Sequence, residues 1–220
     1  MSATVAEWTR LMNQARVKLT GASDAALKGE LFDVVHEFYD RSSWWLDVLT
    51  LNILPNIVAY DLVPVNGTVI RLAGLMTFDP LNPTSPGTTR GGMMPNPGTV
   101  ILLDVPGIPQ TFNATVVLNV VLPTDTNGFP ITDHKLLRIY STGILDGLLG
   151  RMMSQPNKSY SNSSMGVYHL KQFERIINQA RVAALRNNAF GSQAWVYPQT
   201  FGTFGQRGGV SIGSDTSFTD

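Results

Sequence analysis

ITDHKLLRIYSTGILDGLLGRMMSQPNKSYSNSSMGVYHLKQFERIINQARVAALRN, residues 131–187, is the stretch whose reading decides the fold. Thr132 or Asp133 offers an N-cap, and Leu137, Tyr140, Ile144, Leu148 and Met152 then recur at steps of three and four. Gln155-Pro156-Asn157-Lys158-Ser159-Tyr160-Ser161-Asn162 breaks that period as a polar turn. Ser163 or Ser164 can cap a second run, in which Met165, Phe173, Ile176, Ile177, Ala180 and Ala184 keep the same spacing. The pattern predicts an antiparallel helix pair whose facing stripes bury each other. It reads as a scaffold, with no catalytic centre in it.

Upstream, Val5, Trp8, Met12, Ala15 and Leu19 predict a helix over residues 4–19, ended by Gly21. Ser23 or Asp24 then starts a second helix with Leu27, Leu31, Val34, Val35 and Phe38 on one face. So short a link predicts a second helical hairpin, able to complete a four-helix core with the first. Between the hairpins the period changes to two. Strands are predicted at 46–53, 57–63, 68–76, 99–105 and 112–122, with Val65-Asn66-Gly67-Thr68 as a hairpin turn. Residues 79–98 are rich in proline and glycine and read as a long loop.

The expected fold is therefore α+β: a four-helix bundle with an inserted antiparallel β lobe and an extended C-terminal arm. Its parts are a helical hairpin at 1–43, a β lobe at 44–130 containing loop 79–98, a second hairpin at 131–190, and an arm at 191–220. Past Asn187 the chain is glycine-rich and nearly uncharged, yet carries Phe190, Trp195, Tyr197, Phe201, Phe204 and Phe218. A disordered tail is ordinarily charged and poor in aromatics. This composition instead predicts an arm that orders on a partner, with those six aromatics as anchors.

Charged residues make up only 15% of the chain, against roughly 25% in an average soluble domain. So weakly charged a surface points to extensive cover by partners. Sixteen basic residues balance sixteen acidic ones, which disfavours sequence-independent nucleic-acid binding as the main role. There is no cysteine, hence neither disulfide nor thiolate metal site. No basic segment precedes an apolar core at the N-terminus, so no secretory signal is predicted. No run approaches the roughly 18 apolar residues of a membrane span.

Catalytic motifs do not survive their context. Gly209-Val210-Ser211-Ile212-Gly213 matches a nucleophile elbow, but its flanks are glycine-rich and no histidine follows. His36, His134 and His169 are scattered without metal-ligand spacing. Asp33 and Glu37 read as a solvated helix face, and Trp44-Trp45 as a core anchor where helix gives way to sheet. Neither cofactor nor metal is expected. Arg138, Arg151, Lys171, Arg175 and Arg181 lie on the second helical pair and are candidate subunit contacts.

Leu148-Leu149-Gly150-Arg151-Met152-Met153-Ser154 with the Gln155–Asn162 link, followed by His169, Phe173 and Ile176-Ile177-Asn178-Gln179-Ala180-Arg181, resembles the head-to-tail adaptor proteins of short-tailed bacteriophages. Glu37-Phe38-Tyr39-Asp40-Arg41-Ser42-Ser43-Trp44-Trp45, Tyr60-Asp61-Leu62 and Ile70-Arg71-Leu72 extend the likeness, which covers about residues 5–190 but aligns nothing over 79–98. The resemblance implies a non-enzymatic virion protein at the head–tail junction, made in the host cytoplasm. It implies a ring of twelve copies, with the portal protein above, a tail tube or nozzle protein below, and viral DNA passing through without specific binding. The C-terminal arm would hold the portal. Two other readings stand beside it. One is a tail-associated cell-wall or glycan hydrolase using Asp79, Asp104 or Asp125. The other is a receptor-binding tail module, expected to be trimeric.

Overall fold

The computed structural model describes residues 5–78, 87–121, 128–133 and 135–186. These lie in one unit spanning Met1–Asn188; a second unit, Ala189–Asp220, falls outside the described residues. Helix α1 is Val5–Lys18 and α2 is Asp24–Ser42. Gly21 between them has φ +89°, a conformation glycine adopts without steric cost. Ser23 caps α2, its Oγ accepting from Ala26 N–H at 3.3 Å. After six strands come α3, Leu136–Met153, and α4, Ser163–Leu185. The cap of α4 is Asn162, one residue before the expected serines, accepting from Met165 N–H at 3.2 Å. Neither Thr132 nor Asp133 caps α3: Lys135 holds that position without a side-chain bond.

The expected four-helix bundle is not the arrangement found. Helix α3 lies centrally, with α1, α2 and α4 all packed on it and α2 also touching α4. The short link at residues 19–23 therefore does not produce a hairpin in which α1 lies along α2: Trp8, Leu11, Met12 and Ala15 are buried, and α1 packs on α3. The cause lies in α3. Leu136, Leu137, Ile144, Leu148, Leu149 and Met152 are buried, as are Gly143, Gly147 and Gly150. Buried residues spread widely round α3, leaving only a narrow open side with Arg138, Ile139 and Thr142, so it accepts neighbours on several sides, whereas a bundle helix has one buried stripe. The glycines let α4 and α2 approach closely. A Cβ on Gly143 would stand 2.5 Å from Ile176 Cγ2, and one on Gly150 2.8 Å from Leu170 Cγ.

The strands are β1 Leu46–Ile53, β2 Ala59–Asp61, β3 Thr68–Phe78, β4 Gly92–Asn96, β5 Thr99–Leu102 and β6 Gln110–Asn119. They form two antiparallel three-stranded sheets, ordered β1-β6-β3 and β2-β5-β4. The α+β class holds, with the strand part differing in two respects from expectation. Asn66-Gly67 is a tight turn, with Gly67 at φ +81°, but it makes no hairpin: the strands it joins belong to different sheets. A Cβ at Gly67 would meet Asn119 O at 2.8 Å and the Trp45 ring at 3.0 Å, so the turn is pressed against the larger sheet. The expected loop at 79–98 also contains a strand, β4. Gly91-Gly92 and Pro95 hide it in the sequence. As an edge strand β4 tolerates a proline.

Segment 88–90 bonds to the outer edge of β3, Thr77 N–H to Thr88 O and Arg90 N–H to Leu75 O, both at 2.9 Å. The opposite edge of that sheet is β1, where Val48 N–H donates to its neighbour Asp47 at 2.9 Å. A side chain that occupies an edge donor in this way discourages sheet extension. Helix α2 packs on β6, and Trp44 and Trp45 are buried at the passage from α2 to β1.

Candidate interaction surfaces

The turn that carries the resemblance is built by its own polar side chains. Gln155 Nε2 donates to Glu30 on α2 at 2.9 Å and Tyr160 OH donates to Gln155 Oε1 at 3.2 Å. Ser159 Oγ donates to Thr20 O at 3.0 Å, and Ser161 Oγ to Gln155 O. Asn157 sits at φ +59°, which asparagine tolerates better than most residues. These residues pin the α3–α4 connection to the start of α2 and the end of α1.

Next to that turn, charges knit three helices together. Arg151 on α3 donates to Glu37 on α2 at 2.6 Å, and stands 3.7 Å from Glu30 and 3.8 Å from Asp33. Arg41 donates to Glu37 at 2.7 Å and grips Glu174 on α4 through both terminal nitrogens at 2.6 Å. A two-pronged guanidinium–carboxylate contact fixes orientation as well as distance. Asp33 and Glu37 are thus more than a solvated face, because Arg151, 114 residues on from Glu37, reaches both. Partial burial pushes the Glu37 carboxyl up, but the hydrogen bonds and charges of Arg151 and Arg41 outweigh it and leave its pKa below the ordinary value. The bonds to Glu174 and Glu37 raise that of Arg41.

This gives a pH prediction. A carboxyl whose folded pKa is depressed contributes stability above its unfolded pKa, near 4.5, and loses it as pH falls through the lower folded value. Glu37→Gln is expected to cost about 1 kcal/mol at pH 7. Urea titrations should show that gap closing as the pH falls below about 4.5; a constant gap would deny Glu37 its ionic role.

The other candidate subunit contacts differ from Arg151. Arg138, Lys171, Arg175 and Arg181 are exposed. Arg138 borders a cleft between α1 and α3 with Arg10 and Ser141. Arg181 borders a groove of about 770 Å³ where the ends of α2 and α4 face the larger sheet. Asp40, Arg71 and Ile177 share that groove, and Arg71 donates to Ser43 Oγ. Several large apolar side chains are also open to solvent, among them Val17 at 82%, Val63 at 79%, Val65 at 91%, Leu103 at 62% and Leu185 at 76%.

The arm aromatics Phe190, Trp195, Tyr197, Phe201, Phe204 and Phe218, the Gly209–Gly213 motif, and His134, Asp79 and Asp125 all lie outside the described residues. Asp104 is exposed and paired with Arg90 at 3.1 Å. His169 is buried with Nδ1 2.8 Å from Asp146, a bond that ties α4 to α3. His36 is exposed, its ring 6.1 Å from Phe32. Among the described residues no cluster of histidine and carboxylate side chains could hold a metal. No described helix is long and apolar enough to cross a membrane. Comparison with protein-family models and with curated proteins finds no match for the chain.

Proposed function

We propose that this chain is a structural adaptor subunit of a short-tailed phage virion. Twelve copies would form a ring between the capsid portal and the tail, leaving a channel for DNA. The protein would work at the head–tail junction after synthesis in the host cytoplasm, with no catalytic role. The observation that carries the reading is the combination of few charges with many exposed apolar side chains, such as Val63, Val65, Leu103 and Leu185. A surface with few charges can be covered by partner subunits with little desolvation of ionised groups. The residues behind the resemblance to adaptors support it from another side. Gln155, Ser159, Tyr160 and Asn162 build the α3–α4 turn, so the likeness rests on the frame of the molecule.

The arm is assigned to the portal. Residues 1–188 form a compact unit without it, so a chain ending at residue 190 is expected to fold and yet to lose attachment to the portal protein of its own virion. Pull-down with that portal, with circular dichroism as the folding control, checks this. Normal attachment of the shortened chain would remove the arm from the account. Negative-stain imaging of the portal complex tests the ring itself; three-fold particles would favour a receptor-binding module.

A further inference from the structure

The outer face of α4 bears cations that find no partner among the described residues. Tyr168, Lys171, Arg175, Val182 and Arg186 follow one another at steps of three, four, seven and four, the spacing of a single helical stripe. Arg181 flanks it. Among the described residues none of Lys171, Arg175, Arg181 and Arg186 makes an ion pair or side-chain hydrogen bond. The single acid within α4, Glu174, is held by Arg41. Tyr168 and Val182 are about half exposed, so the stripe mixes apolar bulk with positive charge.

Helix α2 presents the complementary pattern. Glu30, Asp33, Glu37 and Asp40 recur at steps of three, four and three. Arg151 and Arg41 partly offset them, but Arg41 is shared with Glu174. Asp33 keeps a side-chain exposure of 60%, and Asp40 has no ion pair or hydrogen bond among the described residues. Although α2 and α4 are neighbours, their one mutual ion pair is Arg41 with Glu174, the base on α2 and the acid on α4. Asp33 and Asp40 are thus the acids of this stripe left most open, and among the described residues no cation of the α4 stripe reaches either.

We propose that the cationic stripe of α4 docks on the acidic stripe of α2 in a second copy of this chain. In that contact Lys171 and Arg175, one helical turn apart, would face Asp33 and Asp40, the acids of the α2 stripe most open to solvent. Because each copy would offer α4 to one neighbour and α2 to another, the contact is head-to-tail, and such contacts close into rings or run on as filaments. The proposal rests on the adaptor reading only for the number of copies in the ring. A nucleic-acid backbone is the less favoured occupant: Tyr168 and Val182 interrupt the cations, and acids of matching period lie on the same chain.

The absence of cysteine permits a clean test. Arg175→Cys protein is mixed with Asp40→Cys protein under mild oxidation. The expected result is a mixed disulfide dimer in excess over either homotypic product. In a second arm, Lys171→Glu/Arg175→Glu and Asp33→Lys/Asp40→Lys proteins are each expected to self-associate about tenfold more weakly than the unmodified chain. Mixed together they should regain assembly, since every contact is again between opposite charges. Sedimentation reads both. Homotypic disulfides alone, or failure of the mixture to recover, would overturn the proposal. So would charge reversals on α4 that spare self-association while abolishing binding of a 25-base-pair duplex DNA probe. Mixed disulfides in a ring of another size would sink the twelve-fold reading and keep this contact; twelve-fold rings without the mixed disulfide would do the reverse.

Discussion

Gly147→Val is expected to lower stability by about 3 kcal/mol. Gly147 lies on α3 where α2 and α4 both press on it. A Cβ there would stand 2.7 Å from Val34 Cγ1 and 3.0 and 3.1 Å from two atoms of the Phe173 ring. Both neighbours are buried, at 0% and 2% exposure, so neither can swing into solvent, and the γ-methyl groups of valine add to the clash. Relief requires α3 to shift off α2 or α4, which opens the core. Gly29 supplies the opposite case. It too sits inside a helix, α2, but a Cβ there meets nothing within 4 Å. Gly29→Ala should therefore stabilise by about 1 kcal/mol, through helix propensity alone. Urea denaturation of the two variants beside the unmodified protein checks both signs. A mild Gly147→Val would mean that α3 is not held between its neighbours.

These two glycines also mark how far the sequence could be read. Each is a glycine inside a helical pattern, Gly29 alone and Gly147 between Gly143 and Gly150, and periodicity says only that the helix continues through it. Periodicity placed all four helices, because a buried stripe recurs along one chain, but it set the start of α3 too early, at Thr132 or Asp133 rather than Lys135. It could not say which helix faces which, since Trp8, Met12 and Ala15 would suit α2 or α3 equally well. Strand pairing was hidden for a similar reason: Asn66-Gly67 specifies a reversal of the chain, and only packing decides that its flanking strands enter different sheets. Strand β4 escaped notice because Gly91-Gly92 and Pro95 are turn residues by composition, while the pairing of Met93 with Ile101 is long-range information. Among candidate contacts, the exposed positions of Lys171 and Arg175 follow from helical phase. The engagement of Arg151 by Glu37, on a helix 114 residues away, has no sequence signal.

Trp44→Ala is expected to cost about 3–5 kcal/mol, as truncations of buried large aromatics do. The side chain is 5% exposed and meets the Tyr140 ring edge-on at 5.2 Å. Tyr140 is the residue at which α3 departs from helical geometry, with φ −117° and ψ 15°, and its ring also lies 5.2 Å from Phe38 on α2. Trp44 thus fills the angle between the end of α2 and the bend in α3. Its own backbone is set by the cap of α2: Ser43 at φ +54° turns the chain, and Trp44 N–H donates to Ser42 Oγ at 3.2 Å. Trp44→Phe keeps a ring against Tyr140 and should lose less than half as much. A partner contact would behave in the opposite way, with stability unchanged and assembly impaired. Denaturation midpoints of the two variants, measured on the isolated protein, decide between those roles.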